Sequence, residues 1–107
     1  MPTTYKILGQ ITGSSATASL YTSPALTQTV VSSLVATNRS TLNSSYWIAV
    51  VPSGQSLSNE DWLAFNTPIS GSDATALTLG ITLAAGDSIQ VSGLATGSFN
   101  LFGSQIS

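Results

Sequence analysis

The chain contains no cysteine and no histidine, and only two of its 107 residues are cationic and four acidic. Without cysteine there is no disulfide framework, no thiolate nucleophile and no sulfur-ligated metal. Without histidine, the commonest metal ligand and the commonest general base are missing as well. The charged residues are Lys6, Arg39, Glu60, Asp61, Asp73 and Asp87, or 6% of the chain, against the roughly 25% usual for soluble domains. Two cations cannot build the basic patch that a nucleic acid requires or a cationic face for an anionic membrane, so neither is expected as a partner.

Long apolar runs are also scarce, although the mean hydropathy is positive at +0.32. The longest aliphatic run, Ile48 to Val51, is stopped by Pro52 and falls far short of the roughly 20 residues of a spanning helix. The N-terminal segment, Met1 to Leu8, lacks a charged region followed by an apolar one, so the expectation is synthesis in a cytoplasm without a secretory signal. Two glycosylation sequons begin at Asn38 and Asn43, and in a chain this rich in Asn, Ser and Thr they are chance matches.

What fills the sequence instead is hydroxyl: 19 Ser and 14 Thr, together with 9 Gly. Neutral polar groups therefore take over the work that charge normally does at a surface. At this length the whole chain, residues 1–107, is expected to be one domain with a single core.

Strand signals recur at short intervals, and no stretch keeps an apolar 3.6-residue period long enough for a helix. The expected strands are Tyr5–Ile11, Thr17–Thr22, Gln28–Thr37, Ser45–Val51, Trp62–Thr67, Thr75–Ile81, Ile89–Ser92 and Ser98–Ile106. Polar turn residues separate them, such as Thr12 to Ser15 and Ala84 to Asp87, and Pro24 breaks the second. The loop from Pro52 to Asp61 holds half of the acids, and Asn59 or Asp61 is placed to cap one short helical turn. About eight short strands at this spacing predict an all-β fold, a single antiparallel β-sandwich, Ig-like or jelly-roll in kind.

No chemical constellation survives inspection. Glu60 and Asp61 are adjacent in a polar loop, whereas paired-carboxylate hydrolysis needs two acids at a set separation in different environments. A serine nucleophile needs a base, and the only side-chain amine, Lys6, has no Ser three residues before it. Asp73 and Asp87 offer one carboxylate per loop, too few for calcium, and read as turn formers. The chain is expected not to be an enzyme and to use no cofactor or metal.

The aromatic residues are more informative. Tyr46 and Trp47 are neighbours in the most apolar strand and must face opposite ways, so at most one of them lies in the core. The other faces solvent or a partner. Trp62, Arg39 and the loop from Gln55 through Glu60 and Asp61 join Tyr46 and Trp47 as candidate partner-contact residues. Strand edges in natural proteins are usually guarded by charge or proline, and here most strands have neither, which suits a chain that is packed among neighbours.

Several segments in order, among them Tyr5 to Gln10, Leu20 to Ala25, Thr29 to Arg39, Ile48 to Gly54, Ala76 to Asp87 and Ser98 to Ser104, resemble small structural proteins of tailed bacteriophages, especially those of cyanobacterial hosts. The resemblance implies a non-enzymatic virion component akin to head-decoration or cement proteins. The implied partners are the major capsid protein and further copies of the chain itself, and the implied location is the capsid surface. The alternative expectation is a tail- or baseplate-associated module that binds host glycans through Trp or Tyr platforms.

Overall fold

The computed structural model describes residues 3–106; Met1 and Pro2, at the start of the N-terminal segment considered above, lie outside them. The elements are β1 (Thr3–Thr22), β2 (Gln28–Asn38), β3 (Ser44–Val51), β4 (Trp62–Ile69), β5 (Ala74–Leu83) and β6 (Ser88–Ile106), with one 3₁₀ turn at Asn59–Asp61. Every ladder is antiparallel, in the order β4-β3-β6-β2-β5, and β1 also pairs with β6.

Six strands stand where about eight were expected, and the difference has one cause. β1 and β6 are each long enough to supply two of the predicted strands, and each bends without breaking. The arm of β6 from Ser88 to Gly93 pairs with β3, and the arm from Gly97 to Ile106 pairs with β2. β1 follows β6 through the bend, pairing Thr3–Thr12 against the second arm and Ser14–Thr22 against the first. Within the stretch read as a turn, Thr12 to Ser15, both Thr12 and Ser14 thus keep ladder partners, and the stretch acts as a corner. Glycine makes that corner possible: a Cβ on Gly13 would collide with the backbone of Gly93 and Leu94. Gly93 (φ 89°) and Leu94 (φ 52°) both take left-handed backbone there.

The sandwich layers are therefore two halves of one curled sheet, not the separate sheets of Ig-like domains. One half is β5-β2-β6-β1 and the other β4-β3-β6-β1. The Cα atoms span 45 × 28 × 18 Å, and the shortest dimension admits two layers about 10 Å apart and no third. Leu34, Phe99 and Leu101 from one half and Tyr46, Ile48 and Val91 from the other share a single buried cluster. Each fully buried side chain of this size contributes about 1.5–3 kcal/mol relative to exposure. Leu77, Leu79 and Ile81 of the edge strand β5 pack on the cluster but remain half-buried, because among the described residues no further strand pairs beyond β5.

Neutral hydroxyls and amides are used inside as well. Thr29 and Ser23 are buried and share a 2.9 Å hydrogen bond; Thr29 also bonds the Tyr21 hydroxyl at 2.8 Å, which accepts from Gln105 Nε2 at 2.7 Å. Asn38 is buried, donating from Nδ2 to the carbonyls of Leu42 and Ser70 and accepting from the Ser40 N–H, so the first sequon is a structural anchor. Asp87 is a turn former, as read from the sequence: its carboxylate accepts from the N–H groups of Ser53 at 2.8 Å and Ala84 at 3.0 Å. Asp73 accepts only from the N–H of its neighbour Ala74 among its side-chain bonds.

Candidate functional site

On the outer face of the β4-β3-β6-β1 half lies an open groove of about 420 Å³. Its aromatic wall comes from β3 and β4. Trp47 and Tyr46 do face opposite ways: Tyr46 is 2% exposed in the core, which removes it as a partner-contact residue, and Trp47 lines the groove. Burial pushes the Tyr46 phenol up from its ordinary value.

Trp62 and Phe65 reach the same wall through an irregularity in β4. Three residues apart on a regular strand, they would point to opposite faces. The β3-β4 register shifts twice, between Tyr46 and Ile48 and again between Ile48 and Ala49, and Asn66 in the first bulge adopts φ 51°. Asparagine tolerates left-handed backbone better than most residues, and the extra residues bring both rings to one face. Phe65 stands edge-on to Trp62 at 5.4 Å and to Trp47 at 6.3 Å between ring centroids. Phe65 is 66% exposed, a large aromatic surface to leave in water.

The rest of the lining mixes hydroxyls from Ser15, Thr17, Ser44, Ser45 and Ser92 with the apolar Leu94 and Ala95. Ser92 lies beside Trp47 in the β3-β6 ladder, and Ser15 and Thr17 come from the bulged stretch of β1. Ser92 Oγ donates to the Ser15 carbonyl at 3.3 Å. Gly93 forms the floor beneath Trp47, and a Cβ there would come within 3.0 Å of the indole. Among the described residues, none of those lining the groove carries a charge.

The other sequence candidates do not join this site. Arg39 lies past the Asn38 end of β2, exposed, with its guanidinium donating to the Gly97 carbonyl at 3.2 Å. Gln55, Glu60 and Asp61 lie past the far end of the eight-residue β3, roughly 25 Å from the Arg39 loop at strand rise. The two clusters cannot form one small contact patch. Asp61 is not the cap of the 3₁₀ turn, and neither is Asn59. Ser58 occupies that position, and the Asp61 carboxylate reaches back to accept from the Ser58 N–H at 2.9 Å. Asp61 is thereby partly occupied with its own loop. Phe65, Ser92 and Gly93 were not singled out as site residues by the sequence, because only the bulges and the bend bring them to Trp47.

Among the described residues there is no cluster of three or more acids that could hold a metal ion, and no helix long and apolar enough to cross a membrane. Neither a protein-family model nor a curated protein nor a solved structure matches the chain.

Proposed function

We propose that the chain is a non-enzymatic virion structural protein of a tailed phage, a decoration or cement protein that binds the major-capsid lattice as an oligomer. The observation that carries this is the free edge of β1. That strand runs 20 residues, is paired only on its β6 side among the described residues, and has a single charge, Lys6. Beside that lysine it exposes Tyr5 (83%) and Ile7 (52%). Unpaired backbone donors and acceptors next to exposed apolar side chains are what a neighbouring subunit covers. Clamping adjacent capsid subunits stabilises the shell by mass action, because the protein binds only the assembled form.

The test has two parts. Stripping the protein from purified particles should lower the temperature at which the capsid opens, and adding it back should restore that temperature; unchanged melting would overturn the cement role. In sedimentation equilibrium the isolated protein should self-associate to the same extent at low and high salt, since there are few ion pairs to screen. The double variant Tyr5→Glu/Ile7→Glu should be monomeric.

A further inference from the structure

The groove on the outer face takes Ser15 and Thr17 from β1 but none of the exposed Tyr5 to Ile7 segment named for assembly, so the two readings can be tested separately. Its chemistry is mixed. One part is the Trp47, Trp62 and Phe65 cluster, and the rest sets serine and threonine hydroxyls beside Leu94 and Ala95. Its volume of about 420 Å³ lies within the roughly 300–1,000 Å³ usual for small-ligand sites.

Three classes of occupant fit poorly. A nucleic acid or acidic polymer would need cations, and none lines the groove. An added β-strand could pair only along the free edge of β1 and would leave the aromatic wall uncovered, because β3 and the Ser88–Gly93 arm of β6 are already paired on both sides. A lipid chain or an apolar protein knob would leave the Ser15 and Thr17 hydroxyls without partners, which costs free energy once water is excluded.

A pyranose ring has the complementary pair of surfaces: an apolar face of C–H groups and a rim of hydroxyls. We infer that the groove is a binding site for uncharged carbohydrate, with a sugar face against the Trp47–Phe65–Trp62 wall and sugar hydroxyls bonded to the exposed Ser15 and Thr17. The aromatic wall supplies contact area at low entropic cost, since each ring has two side-chain torsions and is already wedged against its neighbours. The absence of charge selects for neutral glycans over uronic or sialic acids only weakly, by offering an acidic sugar no compensation for lost water.

Both tryptophans of the chain line this groove, so intrinsic tryptophan emission reports on it alone. Cellohexaose, mannohexaose and maltohexaose should be titrated separately, with hexagalacturonate as the acidic control of the same length. At least one neutral hexasaccharide is expected to give a saturable change in emission at or below about 10 mM, about two- to five-fold tighter than the acidic control. Trp62→Ala should weaken binding at least ten-fold, read from the remaining Trp47. Thr17→Val, at an exposed position that tolerates the change in folding, should weaken it two- to five-fold. The proposal is overturned if no neutral hexasaccharide gives a saturable change, or if binding survives Trp62→Ala in a variant whose circular dichroism is native. It is equally overturned if emission changes with protein concentration alone, which would mean that a second copy fills the groove. Capsid melting is unaffected by any of these outcomes, so the cement role and the glycan site fail independently.

Discussion

Gly93→Ala is the most incisive perturbation of this fold, because one methyl group tests the bend in β6 and the seat of Trp47 together. Two costs add. The residue sits at φ 89°, where an L side chain is strained by about 1–2 kcal/mol. The new Cβ would lie 3.0 and 3.1 Å from Cε3 and Cζ3 of Trp47, and closer still to the Ser45 carbonyl, which belongs to a paired strand and cannot swing away. Relieving such overpacking typically costs about 1–3 kcal/mol. The sum is about 2–5 kcal/mol, or roughly 10–40 °C in melting temperature for a domain of this size. Gly80→Ala separates the terms, since Gly80 also has positive φ (60°) but nothing within 4 Å of its would-be Cβ. It should cost about 1 kcal/mol and leave tryptophan emission unchanged. Thermal unfolding followed by circular dichroism and fluorescence reads both variants. If Gly93→Ala melts no lower than Gly80→Ala, the close packing of the indole on the β6 backbone is refuted.

Further expectations concern the turns, the core phenol and the β4 bulge. Asp87→Ala, which frees two backbone N–H groups, should destabilise the fold by about 1–3 kcal/mol in urea unfolding, whereas Asp73→Ala should cost less than about 0.5 kcal/mol. The buried Tyr46 holds its proton to higher pH in the folded chain than in the unfolded one, so its contribution is intact below about pH 10 and is lost as pH rises beyond that. Tyr46→Phe should therefore flatten the alkaline limb of a stability-versus-pH curve. Asn66→Gly should be near neutral and Asn66→Val should cost about 1–2 kcal/mol, with a shift in tryptophan emission for Val alone, because the left-handed residue sets the register that groups the aromatic rings.

Much of the secondary structure is legible in the residues. Period-two patterning located every strand segment, and the adjacency of Tyr46 and Trp47 was enough to require one inside and one outside. Asp87 was recognisable as a turn former from its Gly-Asp context. The strand count was less accessible, because Thr12 to Ser15 has turn composition whether the chain reverses there or merely turns a corner. Only the ladder between Ser14 and Gly93 distinguishes the two. The cap of the 3₁₀ turn is Ser58, one residue before Asn59 and three before Asp61; all three are competent caps, and the choice depends on which backbone N–H groups lack partners.

By itself the sequence determined an all-β, charge-poor, hydroxyl-rich domain without the side chains for thiol or imidazole chemistry, since these follow from local patterning and from which residue types are present at all. Tertiary structure alone decided that eight strand segments are six strands, that Arg39 and Glu60 lie at opposite ends of β3, and that Trp47, Trp62 and Phe65 share a wall. The physical reason is the same in each case. Bulges and bends reset which face a residue occupies, and they are fixed by backbone pairing between segments far apart in the chain, which no local periodicity records.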